Sequence, residues 1–292
     1  MRILVTGANG QLGTEIRMIA KFDDEHDYMY VDLDNFDMTN AFDVATWFSR
    51  QERYDVVINC AAFTAVDKAE SDFRSARLAN SIAVSILAEE CRKMNAQLVH
   101  ISTDYVFNGK SFLPYREDDP TEPASAYGKS KLAGEQALIT QKIPGIIIRT
   151  SWLYSNYGNN FVKTMQKLGA ERESLNVVYD QIGSPTNAQD LADAILKIIQ
   201  HPLFLAGGFK SEVFHYSNEG VCSWYDFALE IMEQNNLPCK VNPIRTEEYP
   251  LPAPRPAYSV LDKQKIKTTF GIHIPHWKAS LAVCMEKSKQ IS

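Results

Sequence analysis

Two short stretches carry the residue types that acid–base chemistry on a carbonyl needs: Ser102-Thr103-Asp104, and Tyr127-Gly128-Lys129-Ser130-Lys131. Tyr127 and Lys131 stand at i and i+4, a spacing that stacks two side chains on one helix face. A phenol has an ordinary pKa near ~10 and is a weak acid–base group at neutral pH. An ammonium beside it favours the phenolate, so the spacing predicts that Lys131 lowers the Tyr127 pKa. Such a tyrosine can give a proton to a developing alkoxide and recover it later. The Thr103 hydroxyl could grip the same oxygen. Alone, a Tyr-x-x-x-Lys pair reads as a solvated helix face; the elements around it argue for chemistry.

Those elements begin at the first residues. Arg2-Ile3-Leu4-Val5-Thr6 is a short apolar run that reads as a buried parallel strand. Gly7-Ala8-Asn9-Gly10-Gln11-Leu12-Gly13 follows, then a helical pattern to Lys21. A glycine turn between a strand and a helix lets the backbone approach a pyrophosphate, and the helix N-terminus offers it N–H groups. Residues 28–32 read as the second strand, ending in Asp32, where an acid can take a ribose 2′-OH and repel a 2′-phosphate. Asp37 and Met38 follow, within reach of an adenine. Residues 43–52 read as a crossover helix, and Val56–Asn59 as a third strand running into Cys60-Ala61-Ala62-Phe63-Thr64. Small residues there let a flat cofactor lie against the backbone. A long helical pattern spans 67–94, and Gln97–Ile101 is the fourth strand, with Thr103 and Asp104 at its end. The helix carrying Tyr127 and Lys131 runs from Ser125 or Ala126 to Thr140, and Gly145–Arg149 is the fifth strand. This alternation predicts an α/β fold: a doubly wound parallel sheet of the NAD(P)-binding Rossmann type.

After Thr150 the pattern loosens into a smaller mixed α/β C-terminal substrate lobe. The division expected is 1–150 for dinucleotide binding and 151–292 for substrate, with segments around 175–200 returning to the first. Trp152, Tyr154, Tyr157 and Phe161 interleave with Gly158, Asn159 and Asn160, a mixture that suits a pocket as well as a small core. Trp152 and Asn160 are candidate substrate contacts. Residues 188–200 form an amphipathic helix. Residues 249–258 carry four prolines and cannot be regular structure. Arg255 stands among them as a candidate for a phosphate.

Composition narrows the class. The 292 residues carry a formal charge of −6, with 45% hydrophobic and 23% charged residues. No basic run marks a nucleic-acid or membrane partner. The opening apolar run is too short for a signal peptide or membrane span. The five cysteines are scattered without a C-x-x-C pair, and the six histidines show no ligand spacing. The residues therefore suggest no metal site, and a reducing cytoplasm is the expected compartment.

With these residues in view, the sequence resembles the extended short-chain dehydrogenase/reductase family, over nearly the whole chain. The likeness is greatest to its nucleotide-sugar reductases. It rests on Gly7 to Gly13, Asn59 to Glu70, Ser102 to Phe107, Tyr127 to Glu135, Arg149 to Trp152, Asn159 to Phe161 with Thr164 and Met165, Asp180 to Thr186, and Arg255-Pro256. The resemblance implies a dTDP-sugar substrate, dTDP-4-dehydro-6-deoxy-L-mannose, reduced at C4 by NADPH or NADH. It also implies roles for residues. Thr103, Tyr127 and Lys131 form the catalytic triad. Gly7, Gly10, Gln11, Leu12 and Gly13 cradle the cofactor. Asp32, Asp37 and Met38 flank its adenosine, and Ala62, Phe63 and Thr64 line its path. Thr103, Asp104 and Trp152 meet the sugar. Phe63 departs from relatives that carry histidine. Some relatives are magnesium-bridged dimers, so Mg2+ and a monomer or homodimer stay open. Two rivals follow from the same likeness. One is a dehydratase or epimerase; related dehydratases place a glutamate where this chain has Tyr105. The other is a non-catalytic subunit similar to the beta subunit of methionine adenosyltransferase, against which the intact triad weighs.

Overall fold

The computed structural model describes residues 1–291. Six strands form one parallel sheet: β1 (Arg2–Thr6), β2 (Asp27–Val31), β3 (Val56–Asn59), β4 (Gln97–Thr103), β5 (Gly145–Thr150) and, far along the chain, β10 (Lys210–His215). Their order across the sheet is β10-β5-β4-β3-β1-β2. The order reverses between β1 and β3, and ligands of open α/β sheets bind outside the strand C-termini at such a switch point.

The strands are apolar runs because both faces are covered. Ile3 and Val5 of β1, with Ile58, Val99 and Ile146, pack under α1 (Gln11–Ala20), α8 (Ala188–Gln200) and α11 (Gln264–Phe270). The alternate residues Leu4, Val57, Leu98 and Ile147 pack on the other face, under α2 (Ala41–Ser49), α5 (Ala83–Met94) and α6 (Ala126–Gln141). Each side chain of this kind, fully buried, contributes roughly 1.5–3 kcal/mol.

The helical pattern expected as one element over 67–94 is broken. Helix α3 (Val66–Ser71) stops at Asp72, whose φ of −133° is not helical and whose side chain caps α4 (Phe73–Arg77). A π-helical turn, Leu78–Ile82, then leads into α5. Within the segments around 175–200, α8 packs on the first sheet, whereas Ser174–Val178 pairs as β7 with β12 (Lys240–Ile244) in the second lobe. The first sheet instead gains β10, which the apolar pattern alone did not assign to it.

The second lobe has its own core, formed by α7 (Phe161–Glu171), α10 (Trp224–Gln234) and α12 (Trp277–Ile291) around Met165, Phe227, Ile231 and Leu281. Two short two-stranded sheets pair β6 (Leu153–Tyr154) with β9 (Thr186–Asn187) and β8 (Ile182–Gly183) with β11 (Cys222–Ser223), and the short α9 (Pro202–Leu205) follows α8. The proline-bearing strap over 249–258 closes against the first lobe: Tyr258 N–H donates to Gly109 O at 3.1 Å.

Candidate active site

Three strand ends build the site. After β1, Gly7 turns with φ +65°, and a Cβ there would lie 2.5 Å from Ala61 N beyond β3. Only glycine lets these two strand ends close together. Gly10 precedes α1 with no side-chain cap, so the first N–H groups, at Gln11, Leu12 and Gly13, remain for an anion. Asp32, at the end of β2, accepts from Asn9 N–H at 2.8 Å and so joins the turn. Asp37 and Met38 lie in the loop beyond. Asp37 accepts from Thr39 N–H at 2.8 Å, and Met38 packs on the core. Ala62 and Phe63 are half-buried after β3, and Thr64 is exposed. An uncapped helix start, a glycine cradle and a carboxylate one strand away fit a dinucleotide.

Thr103 ends β4. Its hydroxyl donates to Asp104 Oδ1 at 3.0 Å and accepts from Tyr105 N–H at 3.2 Å. Asp104 is buried, and burial pushes its carboxyl up to about 6, opposed by the Ser259 and Thr103 hydroxyls. Ser259 acts at longer range than an ordinary hydrogen bond, since neither its hydroxyl nor Asp104 Oδ2 has a bonded partner.

Helix α6 presents Tyr127 and Lys131 to that strand end. Its start is fixed twice: Ser125 accepts from Gly128 N–H at 3.1 Å, and Glu70 accepts from Ala126 N–H at 2.8 Å. Lys131 Nζ donates to the Ile101 carbonyl of β4 at 2.6 Å. The expected lowering of the Tyr127 pKa by Lys131 is not found. Burial pushes the phenol up, Asp104 adds to the shift, and only the Thr103 hydroxyl opposes it. Lys131 itself is pushed down to about 8 by burial, against the pull of Glu135. Tyr127 therefore holds its proton at neutral pH.

Of the other expected contacts, Trp152 stacks on Trp224 with centroids 3.6 Å apart and packs over Gly183, which leaves it half-buried in the second lobe's core. Asn160 caps α7 by accepting from Lys163 N–H at 3.1 Å. Its amide also donates to Gln11 Oε1 at 3.0 Å, tying the second lobe to the glycine turn. Arg255 Nη2 pairs with Asp67 Oδ2 at 2.6 Å, while its buried Nη1 has no partner. Tyr105 lies edge-on to Tyr127 at 5.5 Å, so an aromatic wall occupies the place where a dehydratase needs a base. Among the described residues no group of three or more His, Cys, Asp or Glu side chains could hold a metal ion.

Asn80 is the residue that motif reading passed over. It is fully buried in the π-helical turn. Its Oδ1 accepts from Phe63 N–H at 2.8 Å; its Nδ2 donates to Phe63 O at 3.0 Å and to Ser130 Oγ at 2.9 Å. It pins the cofactor loop to the helix that bears Tyr127. A lone asparagine in an otherwise apolar helical pattern was the available signal, and π-turns gather at functional sites.

A doubly wound sheet with a glycine turn at its switch point, and with Thr103, Tyr127 and Lys131 gathered at the end of β4, defines a Rossmann-type nicotinamide-dependent dehydrogenase/reductase fold. Within that class the chain belongs to the family described as RmlD substrate binding domain, whose model matches residues 1–290. It is 45% identical to the spore coat polysaccharide biosynthesis protein SpsK of Bacillus subtilis over 96% of this chain and 95% of that one. A solved dTDP-4-dehydrorhamnose reductase from Clostridium acetobutylicum superposes with a TM-score of 0.93 at 43% identity, covering 99% of this chain and 100% of that chain. A second, from Bacillus anthracis in complex with NADP, gives 0.90 at 38% identity, covering 98% and 99%.

Proposed function

We propose that this protein is a dTDP-4-dehydrorhamnose reductase, which reduces dTDP-4-dehydro-6-deoxy-L-mannose to dTDP-L-rhamnose. The observation that carries the reading is the meeting of Thr103, protonated Tyr127 and Lys131 at one strand end, with Tyr105 where a second base would stand. Bound NADPH or NADH supplies a hydride to C4. Tyr127 gives its proton to the C4 oxygen as charge builds there, and the Thr103 hydroxyl donates a hydrogen bond to the same atom. Lys131 holds the nicotinamide ribose, and its charge favours the tyrosinate left behind. Asp104 Oδ2, buried without a partner, accepts from a sugar hydroxyl. The free Nη1 of Arg255 takes a phosphate oxygen of the nucleotide. Gln11, with Leu12 and Gly13, holds the cofactor pyrophosphate, while Asp32 takes the adenosine ribose. Five unpaired cysteines suit a reducing cytoplasm; no helix among the described residues is long and apolar enough to cross a membrane.

The test is the purified protein with dTDP-4-dehydro-6-deoxy-L-mannose and each cofactor in turn. The expected result is cofactor consumption matched mole for mole by dTDP-L-rhamnose. A protein that binds the cofactor yet leaves the keto sugar unchanged would sink the reading.

A further inference from the structure

One turn beyond Lys131 on the same face of α6 lies Glu135, and beside it on β5 lies Arg149; both side chains are buried. The pair is bidentate: Arg149 Nε donates to Glu135 Oε1 at 3.0 Å and Nη2 to Oε2 at 2.7 Å. Arg149 is itself held. Its Nη1 donates to the Glu117 carbonyl at 3.4 Å, and its guanidinium lies 5.0 Å from the centre of the Phe107 ring. For stability alone, apolar residues of similar volume in place of a buried ion pair would often serve as well or better.

Lys131 is the group on which this pair can act. Burial pushes the ammonium down to about 8, and Glu135 is the largest influence against that push. Of the other titratable groups near it, Asp104 is the one carboxylate, and its charge falls on Tyr127 rather than on Lys131. Tyr127, on the same helix, keeps its proton. The Cys60 thiol, at the end of β3, is pushed up to about 12 by burial. His100, on β4, is held neutral by burial. Asp104 acts on Tyr127 and bonds to Thr103. Beyond Arg149, His215 of β10 is neutral by burial, and the Glu117 carboxylate accepts from His215 N–H at 3.1 Å.

We propose that Glu135, clamped by Arg149, is a positioning residue whose fixed negative charge keeps the buried Lys131 ammonium protonated and turned toward the end of β4. This rests on the reductase reading of the site. Lys131 carries its charge below its pKa and loses it as pH rises through that value. Removing Glu135 lowers the pKa, so the alkaline limb of cofactor binding and of kcat/KM moves to lower pH.

The experiment follows cofactor binding by nicotinamide fluorescence, and kcat/KM by cofactor consumption, across about pH 6 to 10. Glu135→Gln alone would strand a buried guanidinium and risk unfolding, so the variant is the double Glu135→Gln/Arg149→Met. It is expected to fold and to show both alkaline midpoints about one pH unit below the parent's. Glu135→Asp keeps a carboxylate opposite Arg149 but draws it back by one methylene. Its midpoints should move the same way by less than half as much. A folded double variant with the parent's midpoints overturns the proposal. If the double does not fold, unmoved or raised midpoints in Glu135→Asp overturn it. A parent protein that binds cofactor but never consumes it counts against the reductase reading alone, because the binding midpoint still reports Lys131.

Discussion

Tyr127 keeps its proton in the resting site because it is buried beside a carboxylate. The reduction needs a proton delivered to the C4 oxygen, and a phenol that keeps its proton until charge appears is in the right form for that step. The cost of the tyrosinate falls on the transition state, where Lys131 and Thr103 can share it. Tyr127→Phe is therefore expected to keep cofactor affinity and lose about 10²–10⁴-fold in kcat. Fluorescence titration and single-turnover kinetics separate the two, and a variant with near-parental turnover would remove Tyr127 from the role of acid. At this scale the residue types were legible: the i, i+4 spacing put Tyr127 and Lys131 on one helix face, and Thr103 stood at a strand end. The direction of the Tyr127 shift was not. A spacing rule shows which side chains share a face, whereas desolvation depends on what covers that face, here the end of β4 and Asp104.

At the scale of elements, α6 carries Tyr127 and Lys131, and three neighbours fix its position. Ser125 and Glu70 hold its start, the π-helical turn grips its middle through Asn80, and Arg149 clamps its later turns through Glu135. Gly134 lets the helix and the π-turn meet, since a Cβ there would run into the Asn80 carbonyl. Asn80→Ala leaves the part-buried N–H and C=O of Phe63 and the buried Ser130 hydroxyl without that partner. The expected cost is about 1–3 kcal/mol in stability, read from urea unfolding, together with a lower kcat as the Phe63 loop and α6 lose a common anchor. Parental stability in Asn80→Ala would show that water replaces these bonds and that the clip is dispensable. Most strands and helices were legible from apolar period and breakers. The break at Asp72 was not, because an acid inside a helical pattern reads as solvated surface until its cap to Ser75 N–H is seen.

At the scale of the whole molecule, the second lobe meets the first at the glycine turn. Asn160 holds both sides: its oxygen caps α7, and its amide nitrogen donates to Gln11 and, at 2.8 Å, to Ser155 O. Asn160→Asp keeps the cap and loses both donations, and it sets a carboxylate against Gln11 Oε1 near the cofactor phosphates. Asn160→Ala loses the cap as well, at about 1 kcal/mol. Cofactor affinity measured by fluorescence is expected to fall several-fold in both, with the melting temperature lower in Ala than in Asp. Affinity unchanged in both would mean that Asn160 serves α7 alone. By itself the sequence determined what is local: the strand–turn–helix start, the apolar runs of five sheet strands, the Tyr-x-x-x-Lys face and the strand-end Thr103-Asp104. These follow from periods of a few residues and from backbone rules that act between neighbours. Tertiary structure decided the rest, namely β10 as the sixth strand, the stacking of Trp152 on Trp224, Asn80 as the clip, and the pKa shifts of Tyr127 and Lys131. Each of these depends on burial and on partners brought from distant parts of the chain, and neither is written in local spacing.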